Sequence, residues 1–159
     1  MRRCLNIGCG TKPIASTAEE EWINLDIRPL PGVDVVRDIR YGLPFADAVF
    51  DELLCDNNLE HLASPDAIRL INEMGRILIV GGIVRIIVPH GESACQWQDP
   101  THVSAWVPRS FQYWSQTGTP YGGLAVGITA NLVVIAGPMV SGDMDTEAFI
   151  HVTLRKEPL

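Results

Sequence analysis

The chain has 159 residues, of which 47% are hydrophobic, and its formal net charge is −7. This length suits one domain with a buried core, and this apolar content excludes a disordered chain. An excess of 19 acidic over 12 basic residues disfavours duplex nucleic acid as the main partner, because such binding needs a basic surface.

The first elements are two apolar strands separated by a glycine turn. Residues 4–8 predict a short buried strand that ends in the turn Gly8-Cys9-Gly10. Glycines there let the backbone bend sharply and approach a ligand closely. Trp22–Asp26 predicts a second strand that ends in a carboxylate, which can accept hydrogen bonds from ribose hydroxyls. Residues 11–21 are too few for a full crossover, so we expect the first crossover helix to be reduced to a loop.

Two more strands and the main helix follow. Val33–Arg37 and Ala48–Cys55 predict the third and fourth strands. A helix is predicted with Ser64 as its N-cap and Pro65 at its first position, running to about Leu78. Gly81-Gly82 is expected to end it.

The remaining segments predict the rest of the sheet. Ile83–Val88 is a nearly continuous apolar run typical of a strand covered on both faces, although Arg85 within it needs a partner. An irregular stretch then leads to a short helix near 108–115. Strands near 131–136 and 148–155 are expected to close the sheet as a hairpin.

This order predicts an α/β fold of one domain over residues 1–159. We expect a Rossmann-like, mostly parallel sheet with a C-terminal antiparallel hairpin and a reduced first crossover helix. A ligand in such a fold binds at the carboxyl ends of the strands.

Residues 110–142 contain no charged residue, which raises the question of a membrane span. Five of the residues from 122 to 138 are glycine or proline, so we expect a buried strand with glycine loops and no membrane contact. The four cysteines form no C-x-x-C pair and are predicted to be reduced thiols. No hydrophobic leader follows Met1, and we expect a cytoplasmic protein.

Several motifs in order resemble those of the class I S-adenosylmethionine-dependent methyltransferases. Leu5–Gly10 looks like their first motif, and Asn24–Ile27 looks like their second. Asp38-Ile39, with Leu43-Pro44-Phe45 after it, is similar to the segment that contacts adenine. The segments 50–62 and 73–82 resemble the fourth strand, the following helix and the fifth strand of the family.

The resemblance implies S-adenosylmethionine as the cofactor and a set of residues that hold it. Gly8, Cys9 and Gly10 would hold the methionine end, Asp26 the ribose, and Asp38 with Ile39 the adenine. The full set expected at the cofactor is Asn6, Gly8, Cys9, Gly10, Asp26, Ile27, Asp38, Ile39, Asp56 and Asn57. Asn6 stands where the family usually has Asp or Glu.

Candidate catalytic residues are Glu60, His61 and His102. His61 either faces the transferred methyl group as a base or substrate contact, or it is a structural loop residue. The turn Asp99–His102 and the aromatic residues after it either form a lid over the acceptor or simply cover the sheet.

A metal is the less favoured interpretation of this segment. Some members of the family, acting on small-RNA ends or quinone precursors, use Glu-x-x-Glu-His as ligands. Here Asn57 replaces the first Glu and removes an anionic ligand, so we expect no metal.

The sequence therefore predicts a methyltransferase that acts on an unidentified acceptor, of small-molecule or sugar type because the chain is acidic. The alternative is a cofactor-binding, catalytically weak domain that acts through a protein partner, with residues 110–142 as an interface, for example in a homodimer. A nicotinamide enzyme is less favoured, because Pro13 stands where its fingerprint needs a third glycine.

Overall fold

The fold is a seven-stranded sheet in the order β3-β2-β1-β4-β5-β7-β6. It is seen in a computed structural model that describes residues 1–115 and 125–158. The first strands are β1 (Arg2–Ile7), β2 (Glu20–Asp26), β3 (Val35–Val36) and β4 (Phe50–Asp56). The others are β5 (Leu78–Pro89), β6 (Leu132–Gly142) and β7 (Ala148–Lys156). The expected α/β, Rossmann-like fold is confirmed.

Strand direction places the ligand-binding edge. Strands β1 to β5 pair in parallel, whereas β7 is antiparallel to both β5 and β6, as the predicted hairpin requires. Chain order reverses at β1, which lies between β2 and β4. Sheets of this kind bind ligands beyond the carboxyl ends of the strands on either side of that reversal.

The first crossover contains no helix. Residues 8–19 between β1 and β2 form turns and irregular backbone, so the reduced crossover is confirmed. The chain still makes a parallel connection, with Arg2 opposite Glu20 and Ile7 opposite Leu25.

The boundaries of helix α1 (Ser64–Ile77) differ from the prediction at both ends. Ser64 is its first residue, and the N-cap is Ala63, whose carbonyl accepts hydrogen bonds from the amides of Asp66 and Ala67. The helix stops at Ile77, because the amides of Ala48 and Val49 bond its last carbonyls and lead the chain directly into the sheet.

The prediction that Gly81-Gly82 ends the helix is therefore wrong, because both glycines lie inside β5. Leu78 already pairs with Phe50, and pairing resumes with Ile83 opposite Glu52, so residues 79–82 form an irregular excursion. Gly81 has φ +83°, which a glycine adopts without strain.

One face of the sheet carries the main core. Helix α1 buries its apolar stripe, including Leu70, Ile71 and Met74, against strand residues such as Leu53 and Val84. On the other face Leu54, Arg85, Ile87 and His151 line a shallow groove. Arg85 finds its partner in the buried carboxylate of Glu52, which also pairs with Arg2.

The segment after β5 mainly covers the sheet. It contains a short helix α2 (Ala94–Gln98) within the stretch predicted to be irregular, and a 3₁₀ helix at Pro108–Trp114. Trp106 contacts Phe111 and Trp114, and the latter two are fully buried in the core. These aromatic residues cover the sheet, which is the second of the two alternatives given above.

The charge-free region 110–142 divides into parts with different roles. Residues 116–124 lie outside the described residues. Phe111 and Trp114 belong to the core, whereas β6 is an edge strand that exposes Ile135, Met139 and Val140. A homodimer through this region stays a prediction. No helix in the described part of the chain is long and apolar enough to cross a membrane.

Candidate functional site

An open cleft of about 800 Å³ lies at the carboxyl edge of the sheet. It begins at the turn after β1 and passes the ends of β2, β3 and β4. All ten residues expected at the cofactor line it: Asn6, Gly8, Cys9, Gly10, Asp26, Ile27, Asp38, Ile39, Asp56 and Asn57. Its size falls within the roughly 300–1,000 Å³ of small-molecule and cofactor sites.

The glycine turn is held in place by a side chain that the sequence did not single out. Gly8 and Gly10 both have positive φ, at +67° and +53°. The Asn58 side chain packs directly against Gly8 and donates hydrogen bonds to the carbonyls of Ile7 (2.9 Å) and Asp56 (2.7 Å). Asn58 therefore fixes the ends of β1 and β4 relative to each other.

Asp26 is buried at the end of β2, and its carboxylate organises the cleft wall. It accepts hydrogen bonds from the amides of Gly10 (2.8 Å) and Arg28 (2.9 Å), and from the Arg28 guanidinium (3.1 Å). Burial alone would raise its pKa, but these hydrogen bonds outweigh burial and lower the pKa below the ordinary value. Asp26 is therefore an anion at neutral pH and can accept further hydrogen bonds from a ligand.

Asp38 also lines the cleft, but its hydrogen-bond partners differ from those of Asp26. Both of its oxygens bond the Arg40 guanidinium, and it caps the 3₁₀ helix Ile39–Tyr41 through the Arg40 amide. The Arg40 hydrogen bonds lower the pKa of this carboxyl. The pair adds a fixed anion and an exposed cation to the cleft, beside Ile39.

The three candidate catalytic residues lie together at one end of the cleft. His61 lines the cleft, whereas Glu60 and His102 lie behind it. The His61 and His102 rings are 4.8 Å apart between centroids, and Nε2 of His102 is 4.0 Å from Oε1 of Glu60. Residues 103 and 104 fix the backbone of Glu60, because the amides of Val103 and Ser104 both donate hydrogen bonds to its carbonyl.

Glu60 is the most unusual carboxyl group at this end of the cleft. Its side chain is fully buried, and neither oxygen has a hydrogen-bond partner among the described residues. Burial raises its pKa to about 7, and the nearby Asp56 and Asp99 add to the effect. Buried carboxyl groups with raised pKa values cluster at functional sites.

A sequence comparison places this arrangement in a family. The profile of the family described as "Methyltransferase domain" matches residues 5–86, from β1 into β5. This is more than half of the chain. The chain belongs to this methyltransferase family. The resemblance to class I S-adenosylmethionine-dependent methyltransferases is thereby confirmed. No curated protein matches the chain.

Solved structures share the fold of this methyltransferase at low identity. A SAM-dependent methyltransferase from Archaeoglobus fulgidus matches with a TM-score of 0.64 and 16% identity, covering 98% of this chain and 86% of its own. The N-methyltransferase NodS from Bradyrhizobium japonicum, in complex with S-adenosyl-L-homocysteine, matches with 0.63 and 14%, covering 99% and 79%. The YcgJ protein from Bacillus subtilis matches with 0.67 and 14%, covering 99% and 93%.

Asn6 has a role that the methyltransferase motif did not predict. Its amide nitrogen donates to the carbonyl of Lys12 (3.1 Å) and to Oδ1 of Asn24 (3.2 Å). Asn24 in turn bonds both the amide and the carbonyl of Ile14. The two buried asparagines thus hold the loop that replaces the first crossover helix, and Asn6 lines the cleft while serving this network.

Sequence reasoning missed Asn24, which holds the loop after β1, and Asn58, which itself lines the cleft. The available signal was their position, because each is a polar residue in or directly after a buried strand, where it must find a partner. His90, the residue directly after β5, is not among the residues that line the cleft. Its Nδ1 accepts a hydrogen bond from the Glu92 amide.

Replacing Asn6 by the acid common in the family is expected to destabilise this methyltransferase. In N6D the donor to Lys12 and Asn24 is lost and a buried negative charge faces their oxygens. The expected cost is about 2 kcal/mol, or about 4–8 °C in thermal midpoint.

N57D is the matched control, because it adds the same charge at an exposed position of the same cleft. We expect its midpoint, measured by calorimetry, to stay near that of the wild type. An N6D protein as stable as N57D would show that the asparagine network does not hold the loop.

Proposed function

We propose that this chain is an S-adenosylmethionine-dependent methyltransferase acting on a small-molecule or sugar-type acceptor. The observation that carries the proposal is the cleft at the carboxyl edge of the sheet, which all ten expected cofactor residues line. The cofactor supplies a methyl group on a sulfonium, which the lone pair of an acceptor displaces. Because that methyl group is already activated, alignment of the two reactants supplies much of the rate.

The residues around the cleft suit the parts of this cofactor. The glycine turn lets the backbone come close to the methionine end, and Asp26 offers a carboxylate for the ribose hydroxyls. Ile39 provides an apolar surface for the adenine, with Asp38 beside it. Asp56 and Asn57 line the cleft between these regions and His61.

The acceptor would enter from the end where His61 meets the cleft. The Thr101 hydroxyl donates to Asp99 (2.6 Å), so its contact with Nδ1 of His61 (3.0 Å) makes that nitrogen the donor. In the neutral ring, Nε2 of His61 then carries the lone pair and can accept a hydrogen bond or a proton from an acceptor. Glu60 and His102 lie behind His61 and support this end of the cleft. The net charge of −7 favours a neutral or cationic small acceptor over a nucleic acid.

Calorimetry tests the cofactor assignment without knowing the acceptor. We expect S-adenosylmethionine and S-adenosylhomocysteine to bind the full chain with one site. D26A should weaken binding by at least about 100-fold, since charge-assisted hydrogen bonds to two ribose hydroxyls are each worth about 1.5–3 kcal/mol. D38A should weaken it less, because Arg40 already engages both oxygens of Asp38.

D145A is the control, because Asp145 lies in the turn between β6 and β7, outside the cleft. Its affinity should equal that of the wild type, and thermal midpoints of all variants show whether they are folded. Absence of binding up to millimolar cofactor, or equal affinities of D26A and D145A, would contradict the proposal.

A further inference from the structure

Glu60, His61 and His102 form a cluster in which the carboxylate lacks a hydrogen-bond partner among the described residues. The ligand atoms of the three side chains lie within 4.8 Å of one another. Both carboxylate oxygens of Glu60 are buried without a hydrogen-bond partner among the described residues. Burying an unpaired carboxylate costs free energy, so a ligand that pairs with Glu60 would stabilise this cluster.

The hydrogen bonds around the two rings define which nitrogen of each carries the proton. Nδ1 of His102 lies 2.9 Å from the carbonyl of Gln96, which can only accept, so this nitrogen is the donor. Nδ1 of His61 donates to Thr101, as argued above. In the neutral ring, both histidines therefore carry their lone pair on Nε2, and a neutral imidazole nitrogen is the form that binds metals.

The contacts of Nε2 of His102 point in the same direction. This atom is 3.7 Å from Oδ2 of Asp99 and 4.0 Å from Oε1 of Glu60, too far for a hydrogen bond to either. Nε2 of His102 therefore makes no hydrogen bond to the two carboxylates that it faces.

We propose that Glu60, His61 and His102 form a binding site for a divalent transition-metal ion of the zinc type, at the acceptor end of the cleft. Two imidazole nitrogens and one carboxylate are a donor set that zinc accepts, with a fourth position left for water or an acceptor oxygen.

Neighbouring groups already provide the outer hydrogen bonds that such a site needs. Ligating histidines usually donate their other ring N–H to a carbonyl or a polar side chain, which fixes the ring and its tautomer. The Gln96 carbonyl does this for His102, and Thr101, which is itself bonded to Asp99, does it for His61. The sequence favoured no metal because residue 57 is Asn, whereas the geometry supplies His102 from a distant part of the chain.

A second cluster of suitable residues in the described chain, Cys4, Glu20 and Glu52, is a weaker candidate. Its buried carboxylate is already neutralised, because Glu52 pairs with the guanidinium groups of both Arg2 and Arg85. Burial also raises the pKa of the Cys4 thiol, which disfavours the thiolate that binds metals.

The experiment is a Zn²⁺ titration of the full chain after treatment with a chelator, in competition with a chromophoric chelator and without S-adenosylmethionine. We expect one equivalent to bind at micromolar concentration or below. Losing an outer partner of a metal ligand typically costs about 10–100-fold in affinity, so E60Q and H102A, which lose a ligand, should bind more than about 100-fold more weakly. Co²⁺ at the same site should give visible absorption that both variants lose.

H151A is the matched control, because His151 lies on β7 beside Ser141 and away from this cluster. Its Zn²⁺ affinity should equal that of the wild type. E60Q keeps the shape of the buried side chain, and its thermal midpoint confirms that loss of binding is not loss of folding. The proposal would be overturned if the wild type bound no Zn²⁺, or if E60Q and H102A bound it as tightly as the wild type. Unchanged binding by both variants would point to the cysteines or to surface groups as the ligands. Neither result depends on whether the cofactor binds.

Discussion

Replacing Gly8 by alanine is expected to remove cofactor binding and to destabilise the fold by about 3 kcal/mol or more. The residue has φ +67°, which costs an alanine about 1–2 kcal/mol. A Cβ atom there would also lie only 1.8 Å from Oδ1 of Asn58, so the Asn58 side chain would have to leave its place between β1 and β4. Thermal unfolding should show a midpoint at least about 6–12 °C lower, and calorimetry should show no binding of S-adenosylmethionine.

Gly81 offers a control that separates backbone strain from the clash. It has φ +83°, but a Cβ atom there would meet nothing within 4 Å. G81A should therefore lose only the backbone contribution and keep full cofactor affinity. The double variant G8A/N58A should be less destabilised than the two single variants predict by addition, because the clash is absent. Equal losses in G8A and G81A would show that Asn58 does not restrict Gly8.

Replacing Arg76 by methionine is expected to cost about 2–3 kcal/mol. The Arg76 guanidinium bonds Glu73 on the same helix and the carbonyls of Leu43 and Phe45 in the segment before β4. Glu73 also accepts the Leu43 amide at 2.9 Å. Methionine keeps the apolar part of the side chain but leaves these half-buried groups unpaired. Thermal unfolding should show a midpoint about 4–12 °C lower.

The same pair predicts a change in acid stability. The Arg76 hydrogen bonds hold the pKa of Glu73 below its ordinary value of 4.5. A lowered carboxyl pKa stabilises the fold above the unfolded value, and this stability is lost as the pH falls through the folded value. Between about pH 5 and about pH 3, the free energy of unfolding should therefore fall less for R76M than for the wild type.

R69M is the matched control on helix α1. Arg69 bonds Asp66 and the carbonyl of Arg40, and it is half exposed. Exposed pairs of this kind contribute about 0–1 kcal/mol, so R69M should be nearly as stable as the wild type. If R69M and R76M lose the same stability, then the segment before β4 is not held by Arg76.

Much of the lining of the cleft could be predicted because its signals are local. A glycine turn after an apolar strand, and a carboxylate after the next, are each readable within a few residues. Asp26 and Gly10 indeed meet through one hydrogen bond, as the motif implies. The succession of strands along the chain followed from the same local alternation of apolar runs and turns.

The features that could not be predicted depend on contacts between distant segments. Asn58 reaches Ile7 across 51 positions, and Arg85 finds Glu52 across 33, so neither pairing is visible in a local window. Gly81-Gly82 has the composition of a helix terminus, yet the ladder from Ala48 and Val49 ends the helix earlier. His102 meets Glu60 only because the segment after α2 folds back over the end of β4.

The loop in place of the first crossover helix changes the source of positive charge in the cleft. In related nucleotide sites a helix N-terminus directs its peptide dipoles, worth about half an elementary charge, at the ligand. Residues 8–19 offer no such helix, and Lys12, Arg28, Arg37 and Arg40 line the cleft instead. Peptide dipoles survive any change of side chain, whereas each of these cations can be removed by one substitution. Attraction for the anionic part of a ligand is therefore unusually open to adjustment, residue by residue, over evolution.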